Sequence, residues 1–115
     1  MESVEIVKKI MAALSKHKAQ DVKILKLEDV TVVTDYFVIA GGNSNTQVKA
    51  LAGAIEEELK KDGIEVNHVE GHDSASWILL DYGGVIVHVF MPDAREFYNL
   101  ERLWADATEI APDSL

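Results

Sequence analysis

Apolar residues recur at helical spacing along residues 4–17. Val4, Val7, Met11 and Leu14 share one stripe while Lys8, Lys9 and Lys16 fall elsewhere, a pattern that predicts an amphipathic helix. The period then changes. Residues 22–27 read as a strand, and 36–40 form a short continuous apolar run of the kind a buried strand shows. Gly41-Gly42-Asn43 turns the chain. Ser44 is placed to cap a second helix, with Gln47 three residues on as in a capping box. Val48, Leu51, Ala52, Ile55 and Leu59 give that helix its apolar stripe, and Gly63 is the natural C-cap. Residues 64–69 read as a third strand and 71–74 as a loop.

Residues 76–82 and 85–91 read as two strands joined at Gly83-Gly84, because two glycines permit the positive φ of a tight hairpin turn. A two-residue turn sets Tyr82 against Val85, Leu80 against Val87 and Ile78 against Val89, an apolar face that belongs on the core. The other face sets Trp77, Leu79 and Asp81 across from Phe90, His88 and Ile86. Large aromatics mixed with an acid and a histidine are typical of a protein–protein contact patch. The competing reading is that a terminal helix covers this face. Pro92 ends the sheet, Asp93 is placed to cap the last helix with Glu96 three residues on, and Leu100, Leu103, Trp104 and Ala107 line one side of it. The tail at 109–115 is expected to fray. The order αββαβββα predicts one α/β domain over residues 1–115, with a mixed sheet of about five strands and flanking helices. The unit at 36–69 is expected to supply one parallel strand pair.

Composition narrows the class. Hydrophobic residues make up 48% of 115, enough for one core, and no apolar run approaches a membrane span. The absence of cysteine excludes disulfides and thiolate chemistry, and suits a cytoplasmic protein. The net charge of −9 is unevenly placed. Nine lysines balance nine acids through residue 61, whereas two arginines face eleven acids beyond it. No basic surface is available to wrap a nucleic-acid backbone. An acidic half favours a basic partner, or serves solubility alone.

Candidate chemistry is sparse. Gly41–Asn45 lies at a strand-to-helix junction where backbone amides hold phosphates in other proteins, but it lacks the P-loop lysine and the dinucleotide spacing. A nucleotide-binding or nucleotidyl-transferring enzyme using this turn is therefore the alternative reading. His68 and His72 would stand about 13 Å apart along a strand, too far for one metal ion. His88 near Asp81 has no nucleophile or oxyanion element beside it, so a surface hydrogen bond is its expected use. Arg95 and Arg102 are the only arginines, and share the last helix with Tyr98 and Trp104, a combination favoured in interface hot spots. Trp104, on the leucine stripe, is expected to pack on the sheet.

Several segments in order resemble the ribosomal silencing factor, or Iojap-like, family. They are Asp35-Tyr36-Phe37-Val38-Ile39-Ala40, Gln47-Val48-Lys49-Ala50, Trp77-Ile78-Leu79-Leu80-Asp81-Tyr82-Gly83, Val87-His88-Val89-Phe90, Arg95-Glu96-Phe97-Tyr98 and Leu100-Glu101-Arg102-Leu103-Trp104. The resemblance implies a nucleotidyltransferase-like fold without the catalytic carboxylates, no enzymatic activity and no cofactor. It implies binding to a basic protein of the large ribosomal subunit at the face that meets the small subunit, which blocks subunit joining and represses translation. Organellar relatives act in ribosome assembly. The resemblance places the contact at Trp77, Asp81 and their neighbours. Taken with the mixed hairpin face and the arginine–aromatic helix, the candidate contact set is Trp77, Leu79, Asp81, Tyr82, His88, Phe90, Arg95 and Tyr98. The acidic balance predicts little direct nucleic-acid contact, and a homodimer through the hairpin face is an alternative use of the same surface. Gly84 stands where the family often has an acid.

Overall fold

The computed structural model describes residues 2–115. Helix α1 (Ser3–Lys16) buries Ile6, Val7, Ile10, Ala13 and Leu14. The buried stripe is therefore shifted from the expected one, and Val4 and Met11 are only half-buried. Strands β1 (Gln20–Lys26) and β2 (Tyr36–Gly41) pair antiparallel, with Ile24 opposite Val38 and Leu25 opposite Phe37.

Helix α2 (Asn45–Lys60) starts as its sequence predicts. Ser44 Oγ accepts the Gln47 N–H at 3.0 Å. The reciprocal bond of the box closes one residue early, with Gln47 Oε1 accepting the Asn43 N–H at 2.7 Å. The helix ends as the N–H groups of Gly63 and Ile64 donate to the carbonyls of Lys60 and Leu59.

The third strand is shorter than expected. β3 (His68–Glu70) lies at the sheet edge, and residues 64–67 join no ladder. β4 (Trp77–Asp81) and β5 (Val85–Phe90) form the hairpin, in the expected register from Trp77 opposite Phe90 to Asp81 opposite Ile86. The parallel pair is also not where the sequence placed it. β3 pairs antiparallel with β4, and β2 runs parallel to β5 instead.

Past the hairpin the chain makes two short helices rather than one long one, α3 (Pro92–Tyr98) and α4 (Leu100–Leu103). Pro92 occupies the first turn of α3 and Met91 the N-cap, so Asp93 lies inside the helix and does not cap it. Asn99 adopts a left-handed conformation (φ 44°, ψ 62°), which ends α3, and its side chain accepts the Arg102 N–H to begin α4. Regular structure continues past residue 109. β6 (Thr108–Ile110) pairs antiparallel with β1, Ile110 opposite Ile24, and a 3₁₀ turn follows at Pro112–Ser114. The sheet thus has six strands, in the order β3-β4-β5-β2-β1-β6, against the five expected.

Alternation along the strands divides the core. One sheet face, with α1 and α2, encloses a cluster of twenty buried residues that includes Val38, Leu51, Ile55, Ile78 and Val87. The other carries six: Leu25, Leu27, Phe37, Ile39, Phe90 and Leu100. Each large apolar side chain sealed from water contributes roughly 1.5–3 kcal/mol, so the α1/α2 side supplies most of the stability and the α3/α4 side is the thinner layer.

One junction tolerates no side chain. Gly71, between β3 and β4, has φ +80°, and a Cβ there would collide with the Trp77 carbonyl oxygen. Gly71→Ala is expected to destabilise the protein by more than about 1 kcal/mol. Gly53→Ala in α2, where a Cβ meets nothing within 4 Å, should instead stabilise by roughly 0.5–1 kcal/mol. Urea unfolding of the two variants beside the parent measures both.

Candidate protein-binding face

The thinner face is built by β4, β5 and α3. Strand alternation points Trp77, Leu79 and Asp81 to this side, opposite Phe90, His88 and Ile86. The parallel partner β2 adds Ile39 directly beside His88, and brings the Phe37 ring edge-on to the imidazole at 4.5 Å. Trp77 stacks on Phe90 at 5.0 Å and meets Tyr98 of α3 at 4.5 Å. Tyr98 in turn meets Phe97, nearly perpendicular, at 5.1 Å. A row of rings therefore climbs from the buried sheet to the surface, ending at Tyr98 (48% exposed) and Phe97 (80%). Such offset and edge-on ring pairs are each worth about 0.5–1.5 kcal/mol beyond their burial.

The expected contact residues separate into three groups. Trp77, Leu79 and Asp81 are half-buried on this face, and Tyr98 adjoins them. His88 (3% exposed) and Phe90 (1%) lie beneath the surface and support it, because α3 and α4 cover part of a face that alternation alone left open. Tyr82 and Arg95 lie apart from it. Tyr82 is buried on the opposite face, in the α1/α2 cluster, where burial and then the charge of Glu56 hold its phenol above its usual range. The Arg95 guanidinium pairs with Glu101 at 2.8 Å and reaches the Gln20 carbonyl at 3.5 Å. It ties α3 to α4 across the Asn99 break.

Asp81 accepts the Gly83 N–H at 2.7 Å and so braces the hairpin turn. His88 does not make the surface hydrogen bond expected of it. Its buried Nδ1 accepts the Trp77 indole N–H at 3.1 Å. That bond places the proton of the neutral imidazole on Nε2, which is buried without a partner. Burial lowers the His88 pKa to about 4.

Two exposed apolar residues at this site were not singled out as contacts from the sequence, Phe97 and Leu103 (71% exposed). Leu103 was assigned to the buried stripe of one long helix. The break at Asn99 turns α4 so that Leu100 is buried and Trp104 packs edge-on against Phe37 at 5.8 Å, while Leu103 faces water. Asn99 was the signal for it, as a residue that readily adopts the left-handed conformation.

The Gly41–Asn45 turn is occupied by its own bonds. Gly42 N–H donates to the Phe90 carbonyl at 2.9 Å, Asn43 N–H to Gln47 and Gln47 N–H to Ser44. A Cβ on Gly42 would sit 3.1 Å from the Val48 side chain, so helix packing accounts for the glycine. Among the described residues no three His, Asp or Glu side chains converge as a metal site, and no helix is long and apolar enough to cross a membrane.

These features define an α/β protein with a mixed six-stranded sheet that carries an aromatic, acid-bordered face on its thinner side. The family described as ribosomal silencing factor during starvation matches residues 1–115. The ribosomal silencing factor of Bacillus subtilis is 45% identical over 93% of this chain and 91% of its own length. A crystal structure of a Chromobacterium violaceum protein, 40% identical, superposes with a TM-score of 0.88 over 91% of this chain and 88% of that one. A mouse protein named for mitochondrial assembly of the ribosomal large subunit is 30% identical over 83% of this chain and 43% of its own length. The chain belongs to the ribosomal silencing factor family.

The burial of His88 makes a pH prediction. The unfolded chain protonates this imidazole below about 6.5, the folded protein only below about 4. Between those values the unfolded state binds more protons, so stability falls as pH is lowered through the window, by up to roughly 3 kcal/mol from this group. Urea midpoints measured from pH 7 to pH 4 should fall more steeply for the parent than for His88→Leu.

Proposed function

We propose that this protein binds the large ribosomal subunit in the cytoplasm and, by occupying the surface that meets the small subunit, keeps the two apart and represses translation. It acts by binding alone, with no turnover. The observation that carries this reading is the aromatic end of the β4–β5 face, where half-buried Trp77, on the strand face that also carries Leu79 and Asp81, meets exposed Tyr98 and through it Phe97. Aromatic residues at the centre of a patch bordered by charge are the usual anchors of protein recognition.

The partner's chemistry follows from charge. Acidic residues border the patch: Glu70, opposite Leu79, and Asp81 on the sheet, and Glu96 beside Phe97 and Tyr98 on α3. A basic ribosomal protein complements that border and is drawn to it from solution. Direct contact with RNA is secondary, since the C-terminal half that builds this face carries the whole negative excess. The names of the relatives, silencing factors in bacteria and a large-subunit assembly protein in mouse mitochondria, support the same assignment.

The test is sedimentation of purified subunits on a sucrose gradient, with and without the protein. The protein should travel with the large subunit and deplete joined ribosomes. If it stays at the top and the joined peak is unchanged, the proposal fails. Trp77→Ala, folded by circular dichroism, should bind large subunits about thirtyfold more weakly, the loss of an anchor worth about 2 kcal/mol.

A further inference from the structure

His88 is an expensive residue where it sits. Its cross-strand neighbours are Ile39 and Leu79, and the rings of Phe37 and Phe90 lie against it. Every one of these is apolar. A leucine would suit that environment better, because the imidazole leaves Nε2 buried with no partner. What the imidazole supplies, and a hydrocarbon does not, is an acceptor 3.1 Å from the Trp77 indole nitrogen.

That acceptor does something that ring contacts do not. Stacking of Trp77 on Phe90 and Tyr98 holds the plane of the indole, but two orientations of the ring about χ2 preserve most of the same contact. The N–H···N bond is directional and is made in only one of them. It also turns the indole's single donor inward, so no polar group of Trp77 is left for a partner to satisfy.

We propose that His88 is a positioning residue for partner binding: by taking the Trp77 indole N–H at Nδ1 it fixes the ring and presents its carbon edge as the surface a partner meets. This rests on the reading of Trp77 as the anchor of the contact face. The complementary surface on the basic partner is accordingly apolar at the point that receives Trp77. An acceptor placed there would lose its water without gaining a donor.

Indole exchange and affinity, measured on the full chain, test this together. In the ¹⁵N-tryptophan-labelled protein, the indole N–H signal that Trp77→Phe removes should exchange slowly with solvent. His88→Leu should melt no lower than the parent at pH 7, yet exchange that proton faster and bind purified large subunits about tenfold more weakly. His88→Asn, whose side-chain oxygen falls near the place of Nδ1, should keep slow exchange and bind within roughly threefold of the parent. An unprotected Trp77 N–H in the parent overturns the proposal whatever the variants do. So does an undiminished affinity of folded His88→Leu, or an equal loss in His88→Asn with its slow exchange intact. If Trp77→Ala also binds normally, it is the contact face that has failed. If only Trp77→Ala is impaired, the face stands and His88 does not position it.

Discussion

In the parallel pairing of β2 with β5, Val38 meets Val87 and Ala40 meets Val89 on one face, while Phe37 meets Ile86 and Ile39 meets His88 on the other. Both strands are buried on both sides, as central parallel strands usually are. Every other neighbour in the sheet is antiparallel and extends outward from these two, β1 and β6 beyond β2, β4 and β3 beyond β5. Side-chain direction alternates with period two, so a slip of one residue between them would turn His88 and Phe90 into the α1/α2 core. The aromatic row and the histidine that supports it exist only in this register.

The two faces of the sheet are then finished unequally. Two long helices seal one side, and their stripes bury ten residues between them. Seven residues of α3 and four of α4 cover only part of the other. The Arg95–Glu101 pair and the Asn99 side chain hold this thin layer together, and what it leaves uncovered is the candidate contact face. Most of the buried apolar residues thus lie on the side away from the candidate contact face, and substitutions at the exposed residues of that face carry a modest cost to the fold.

Much of this was legible in the chain because the signals were local. Gly83-Gly84 set the hairpin register, and with it the correct pairing of Trp77 with Phe90 and of Leu79 with His88. Ser44 and Gln47 marked the start of α2. What sequence reasoning missed was non-local or depended on one backbone angle. Nothing near β2 signals that its parallel partner is β5 rather than the next strand, since that choice is settled by packing across the whole sheet. The left-handed turn at Asn99 split the last helix and moved Leu103 to the surface, while Thr108–Ile110 became a strand only because β1 had a free edge to receive it. His88 and Phe90 are buried among Phe37, Ile39, Trp77 and Leu79 of the neighbouring strands, with Leu100 in the same cluster, the covered-face outcome that alternation alone did not choose. Tyr82 was grouped with the site as a neighbour of Asp81 in the resemblance, although alternation already placed it on the other face, and Arg95 was included because arginine beside aromatics on one helix is a hot-spot composition, whereas its guanidinium is taken up by Glu101.

The central pairing also sets the order in which the molecule can come together. β2 and β5 are separated in the chain by α2, β3 and β4, and β1 finds its outer partner only in β6. Helices and the hairpin form from near neighbours, but bringing these distant strands together has a loop-closure cost that delays the sheet. On a chain still being synthesised, β2 waits with its apolar edge bare until β5 has emerged, and Trp77 has no imidazole beneath it until then. A nascent chain therefore lacks the candidate contact face until β5 and α3 have both been made.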